Sequence, residues 1–304
     1  MNTAKGIKLA LVTALVSGVS IFINKFAVKS ITPPLVFTAT KNILVGLLII
    51  AMIIKNGKFK QIKNLSRSHL TKLGLIGIVG GSLPFYLFFT GLSQIPAING
   101  ALIHKTMIFW IALIAIPFLK ERLSLLQVGA VLALFYSNTI IGGFKGFAFS
   151  TGELMIVGST ILWSIENIIA KITLKDVDSD IVTTARMAFG AVILVAASAI
   201  KHPESLSQIT SLSSIQWFWL LTTASTLLMY VLSWYKALKH APATTVASVL
   251  VGSTIVTNIL SATFITHAWS AKHTTQAVII TVAVAIFIRE ANRSKPNQVL
   301  SKAL

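Results

Sequence analysis

Hydrophobic residues run along the chain in long unbroken stretches, separated by short polar or proline-containing joints. Ten such runs stand out: 7–28, 34–54, 72–92, 97–119, 124–143, 152–173, 181–200, 215–236, 243–265 and 273–289. A bilayer core about 30 Å thick takes roughly 20 apolar residues in helix, so each run predicts one membrane-spanning helix. The runs are continuously apolar, whereas the strands of a membrane barrel alternate in segments of about ten residues. The expected class is an all-α integral membrane protein with ten transmembrane helices. The joints Thr32-Pro33-Pro34, Ile95-Pro96, Gly142-Gly143 and Ala241-Pro242 carry turn residues, and proline there starts a helix without interrupting one. Lys5 and Lys8 ahead of the first run resemble the start of a signal peptide. No small-residue cleavage pattern follows, however, and Asn24-Lys25 interrupts its end, so this helix is expected to be retained.

Composition supports lipid as the solvent. Of 304 residues, 55% are hydrophobic and only 11% charged, against about 25% charged in soluble domains. A soluble fold of this size lacks the polar residues needed to cover such an interior. The net charge of +18 has a membrane explanation, because basic residues gather in cytoplasmic loops near anionic lipid. No basic patch is interleaved with exposed aromatics, so no nucleic-acid partner is expected. The absence of cysteine excludes a disulfide framework, a thiolate metal site and a cysteine nucleophile. No metal or cofactor is called for. With ten spans and a cytoplasmic N-terminus, eighteen of the 26 Lys and Arg fall on the cytoplasmic side, Lys171 included. Four (Lys29, Lys145, Lys201 and Lys272) fall on the other. This asymmetry predicts both termini in the cytoplasm of a multi-pass cell-membrane (plasma or inner) protein.

The second half reads as a diverged copy of the first. Ile23-Asn24-Lys25-Phe26-Ala27-Val28-Lys29 lies over Ile165-Glu166-Asn167-Ile168-Ile169-Ala170-Lys171, and Lys41 over Arg186. Gly91-Leu92-Ser93-Gln94-Ile95-Pro96-Ala97 lies over Ala237-Leu238-Lys239-His240-Ala241-Pro242-Ala243, and Leu123-Ser124 over Trp269-Ser270. The halves are 1–145 and 146–304. Five spans per copy is an odd number, so the copies must be inverted with respect to one another. Inverted repeats recur in secondary transporters, with a binding site between the halves near the midplane.

These residues resemble the EamA-type permeases of the drug/metabolite transporter superfamily. The resemblance is carried by Asn24-Lys25…Lys29, Lys41, the Gly91-Leu92…Ile95-Pro96-Ala97 turn and Leu119-Lys120-Glu121-Arg122-Leu123-Ser124. The second repeat departs from the last segment, with His267-Ala268-Trp269-Ser270 and no acid. Lys41 stands where family members often have arginine. The resemblance implies transport of a small metabolite, frequently efflux, and leaves the ligand open.

A charge at the centre of a membrane helix costs roughly 2.5–3.5 kcal/mol on insertion scales, so it needs a partner, water or a function. Lys25, Lys41, Lys105, Glu166 and Arg186 lie inside the predicted spans. Lys105, halfway along its span, reads as a cationic ligand for an anionic substrate group, or as an ion pair with Glu166. His104 points roughly 100° away from it on a helix, and reads as a substrate or proton-handling group or as a neutral buried histidine. Lys41 and Arg186 are pseudo-equivalent and suit gating, attraction of an anion or snorkelling; Lys25 suits snorkelling. Thr13, Ser17, Ser20 and Asn24 form a polar stripe on the first span, and Ser159, Trp163 and Glu166 one on the sixth, as facing walls of one cavity. Glu166 would carry a coupling proton or neutralise a base. Asn258, with Thr254 and Ser261, would hydrogen-bond substrate or serve helix packing. Four bases against one acid favour an anionic or zwitterionic substrate such as an amino acid or organic acid. The expected activity is alternating-access transport with a coupling proton or counter-substrate, by a monomer or homodimer. A channel is the alternative reading, although no filter-like loop is present. An intramembrane enzyme fits less well, because a His-Glu-x-x-His helix is absent.

Overall fold

The computed structural model describes residues 2–95, 97–142 and 146–293. Pro96, Gly143, Lys145 and the tail with Lys295 and Lys302 lie outside the described residues. The described chain forms ten long helices and no strand. They are α1 (Thr3–Ala27), α2 (Pro34–Lys55), α3 (Arg67–Leu92), α4 (Ala97–Lys105 and Met107–Leu119) and α5 (Leu125–Gly142). In the second half follow α6 (Thr151–Thr173), α7 (Ser179–Lys201), α8 (Ser214–His240), α9 (Ala243–Thr266) and α10 (Ala271–Arg293). Nine are long and apolar enough to cross a membrane, and α5 carries the shorter apolar stretch Leu125–Asn138.

Local chemistry fixes the helix starts. Asn2 accepts from the Lys5 N–H, and Ser150 with Glu153 and Ser213 with Gln216 form capping boxes at α6 and α8. Pro34 opens α2, where the missing N–H has no helical partner to lose.

The packing obeys the repeat. Helix α1 lies along α8 as α6 lies along α3, and α9 packs on α1 as α4 packs on α6; α2 meets α7 and α5 meets α10 across the axis relating the halves. Close approaches are duplicated as well. A Cβ on Gly6 would stand 2.6 Å from Ala241, and one on Gly152 would stand 2.8 Å from Ile95. Both the glycines and their neighbours are thus matched between copies. Lys120 and His267, just after α4 and α9, both adopt left-handed backbone (φ 55° and 48°). The two inverted five-helix repeats are therefore visible in three dimensions.

Among the described residues, three spans are broken. Helix α4 is interrupted at Thr106 and α9 at Val251-Gly252, at matching positions of the two copies. In both, the helical bonds tighten: Thr106 N–H reaches the Ile103 carbonyl, and Gly252 N–H the Val249 carbonyl. The sequence reads α3 as one continuous run, but it breaks at Ser82 (φ −134°, ψ −71°) between Gly81 and Leu83. The reason is Pro84, whose ring has no N–H for the Gly80 carbonyl.

At the face carrying Asn2 and Arg293, the halves are packed shut. One buried cluster joins Ala10 of α1, Ile111 and Ala115 of α4, Ala170 of α6, Leu238 of α8 and Val246 of α9. Toward the opposite face a smaller buried cluster joins Ala27, Val36 and Phe37 of the first half to Leu220 of α8, while every residue of α9 from Ile255 to Thr266 is at least partly exposed.

Candidate functional site

Helix α6 supplies the centre of the site. Ser159, Trp163 and Glu166 share its inward face and are all buried. Glu166 is fully buried, one carboxylate oxygen accepting from the Tyr235 hydroxyl of α8. Arg186 of α7 stands 3.8 Å from the other oxygen and donates to Tyr235 at 3.3 Å. The helices can converge this closely because α3 presents glycines. A Cβ at Gly80 would collide with the Glu166 side chain, and one at Gly81 with the Arg186 carbonyl. Gly81 and Gly190 of α7 touch backbone to backbone at the same level.

Trp163 completes this junction. Its indole N–H donates to the Gly80 carbonyl at 3.0 Å, the carbonyl left without a helical donor by Pro84. Its ring also anchors an aromatic cluster, 5.1 Å from Phe85, 5.6 Å from Phe88 and 4.9 Å from His104. His104 is half-buried, with a buried Nδ1 that has no hydrogen-bond partner among the described residues. Lys105 follows it as the last residue before the break in α4 and is also half-buried. The acid considered for Lys105 in sequence, Glu166, is instead engaged by Arg186 and Tyr235.

The first repeat holds a second polar pair. Lys41 of α2 is buried and donates to Asn24 of α1 at 3.3 Å, its ammonium 5.1 Å from the Phe37 ring. In sequence Asn24 and Lys41 lie over Glu166 and Arg186, but the matched glycine contacts of Gly6 and Gly152 set Ser20, one turn before Asn24, at the place of Glu166. One copy holds a carboxylate–guanidinium pair, and the other an amide–ammonium pair with a net positive charge. Among the described residues neither Lys41 nor Lys105 forms an ion pair.

Of the sequence candidates, Glu166 with Arg186 and Trp163 with His104 are brought into contact, and Lys105 adjoins the latter pair through the chain. Asn258 is not brought to them. It donates to Gln276 of α10 at 2.6 Å, and Gln276 in turn reaches the Ser137 carbonyl of α5 at 3.1 Å. Asn258 thus belongs to a polar knot between α5, α9 and α10.

Tyr235 is the residue that sequence reasoning left ambiguous. Its partner is 69 positions away, and only the repeat, by placing Glu166 on an inward stripe, hints at the contact. Lys171 differs too. Sequence placed it in a cytoplasmic loop, yet it is buried near the end of α6 and donates to the carbonyls of Leu238 and Ala241 at 2.5 and 2.6 Å. It caps the C-terminal end of α8, where cations are favoured. Beside it Glu121 accepts from the N–H groups of Ala243 and Thr244 (2.7 and 3.2 Å) and from the Thr244 hydroxyl (2.6 Å). The start of α9 needs this carboxylate, because Pro242 at its N-cap offers no side-chain acceptor. Lys58 reaches across at the same face to Asp178 and Asp180 (2.9 and 2.6 Å). Partial burial opposes both charges there, but the hydrogen bonds outweigh it, raising Lys58 above and lowering Asp178 below their ordinary values.

Broken helices and a buried carboxylate–guanidinium pair inside a ten-helix inverted repeat fit a membrane transporter. The chain belongs to the EamA-like transporter family, whose model matches it twice, over residues 4–142 and 150–289. The Uncharacterized transporter YyaM of Bacillus subtilis (strain 168) is 30% identical over 170 residues, 54% of each chain. The match thus spans about half the length of that curated relative. A solved crystal structure superposes with a TM-score of 0.81 at 15% identity, over 96% of this chain and 100% of that one, a likeness of fold.

Proposed function

We propose that the protein is a secondary transporter that exports a small anionic or zwitterionic metabolite, such as an amino acid or organic acid. It works by alternating access through a cavity between residues 1–145 and 146–304. The observation that carries this reading is the charge balance of the inward residues. Glu166 is matched by Arg186, which leaves Lys41 and Lys105 as positive charges facing no acid among the described residues. An anionic group on the substrate supplies the missing partner, and the aromatic cluster of Phe85, Phe88, His104 and Trp163 supplies an apolar wall beside Lys105. Glu166 in this reading neutralises Arg186, so a coupling proton or counter-substrate acts elsewhere in the site. The loop charges favour cytoplasmic termini in the cell membrane, and the dense packing at the terminal face supports a form closed on that side.

Reconstitution into proteoliposomes with a panel of organic anions, amino acids and organic cations provides the test. Anions or zwitterions should be carried and should stabilise the purified protein thermally, since ligand binding to the native state raises its melting temperature. Lys105→Ala should abolish transport while the protein still inserts and folds. Preference for a permanent organic cation, or unchanged affinity in Lys105→Ala, would refute the reading.

A further inference from the structure

Helices α3 and α7 touch at Gly81 and Gly190 and then diverge toward the face opposite the termini. The angle between them encloses a crevice of about 380 Å³, at the lower end of the about 300–1,000 Å³ common for small-molecule sites. Its walls come from Ile78 and Leu83 of α3 and from Ile193, Ala197 and Ile200 of α7. Four of these are exposed on the outer surface of the bundle (40–81%), so the crevice opens sideways, where the bilayer lies.

The lining is apolar because its two hydroxyls are taken. Ser82 turns its hydroxyl back onto the carbonyls of Gly77 and Ile78 (3.2 and 3.0 Å). The Tyr86 hydroxyl accepts from Lys201 at 2.5 Å, and the Lys201 ammonium lies 4.9 Å from the Tyr86 ring. Lys201 is exposed and is the last residue of α7, so its charge stands at the mouth of the crevice, at the depth where a membrane helix meets the headgroups. An apolar slot at hydrocarbon depth beneath a single cation has the polarity of one anionic lipid. Water gains no hydrogen bonds in such a slot, so its natural occupant is a hydrocarbon chain.

We propose that this crevice is a specific lipid site, holding one acyl chain of an anionic glycerophospholipid whose phosphate pairs with Lys201. The lipid sits at the seam between the repeats, directly beyond the glycine contact beside Arg186. Its occupancy therefore bears on how the two copies move against one another.

The full-length protein in nanodiscs, with phosphatidylglycerol carrying a photoactivatable group on one acyl chain, tests the site. Crosslinks should concentrate on residues 78–86 and 193–201. Ala197→Trp, which fills the slot, should remove those crosslinks and leave the weaker labelling of the lipid-exposed faces of α5 and α10 unchanged, which also reports that the variant is folded. Lys201→Gln should lower labelling by phosphatidylglycerol about fivefold, the worth of one basic residue near an anionic surface, and leave labelling by the matching phosphatidylcholine unchanged. Inorganic phosphate should not compete, because the chain provides most of the contact. Uniform labelling of all outward-facing helices, no effect of Ala197→Trp, equal use of the two lipids or competition by free phosphate would each overturn the proposal.

Discussion

Neutralising Glu166 should destabilise the protein severely, and neutralising Arg186 with it should restore much of the loss. The two groups lie 3.8 Å apart with side chains 0% and 8% exposed. With an effective dielectric constant of about 20, their attraction is about 4 kcal/mol. Glu166→Gln keeps the shape and the acceptor for Tyr235 but leaves Arg186 as an unmatched buried charge, a change that costs about 3–5 kcal/mol. Arg186→Met strands the carboxylate and should cost a similar amount. In the double variant no buried charge is left alone, and the amide oxygen introduced by Glu166→Gln still accepts from Tyr235. Its loss should fall well below the sum of the two single losses, by about 3 kcal/mol or more. Equilibrium unfolding of the four proteins in mixed detergent micelles gives the cycle directly. Additivity within about 0.5 kcal/mol, the behaviour of independent sites, would show that the pair is not coupled and would remove the basis for treating Glu166 as spent on Arg186.

Three further outcomes follow from contacts described above. Trp163→Phe keeps an aromatic ring but removes the indole donor to the Gly80 carbonyl, and should cost about 1–3 kcal/mol in the same unfolding assay; an unchanged stability would mean that the break in α3 finds another donor. Glu121→Ala exposes the first N–H groups of α9 and should cost about 1–2 kcal/mol, with faster hydrogen exchange confined to the start of α9; exchange spread over the whole bundle would contradict a capping role. The Asp178 carboxyl is held below its ordinary value, so its contribution is complete above about pH 4 and disappears as pH falls through the lower folded value. The melting-temperature gap between the wild type and Asp178→Asn should therefore stay constant from about pH 5 to 8 and close in acid, and a gap that widens in acid would reverse the sign of the argument.

The membrane fold was legible because lipid tolerates only apolar helices and closed barrels, and ten long, continuously apolar runs exclude the barrel. The repeat was legible because Asn24, Lys41 and the Gly91–Ala97 turn have counterparts at nearly constant spacing. What escaped depends on single contacts between distant positions. The break at Ser82 was written in Gly80, Gly81 and Pro84, but proline next to glycine inside an apolar run also fits an uninterrupted span. Lys171 looked like loop charge because it sits near the end of its run, and only the bare carbonyls of α8 explain its burial. Asn258 has the same polar spacing as a cavity residue, and its engagement by Gln276 is invisible without the third dimension. Glu121 lacks a matching acid in the second copy, which obscured its use as a cap for α9 of the other half.

The unequal polar pairs, Asn24 with Lys41 in one copy and Glu166 with Arg186 in the other, make the two copies electrically distinct. If each copy adopts the other's arrangement when access switches sides, the end states are not mirror images in energy. A cation without a carboxylate changes its depth in one of them, and a membrane voltage acts on that displacement with up to about 2.3 kcal/mol per charge per 100 mV for a full crossing. Under the proposed alternating access, an empty carrier of this kind would rest with a preferred direction that a strictly duplicated one would lack.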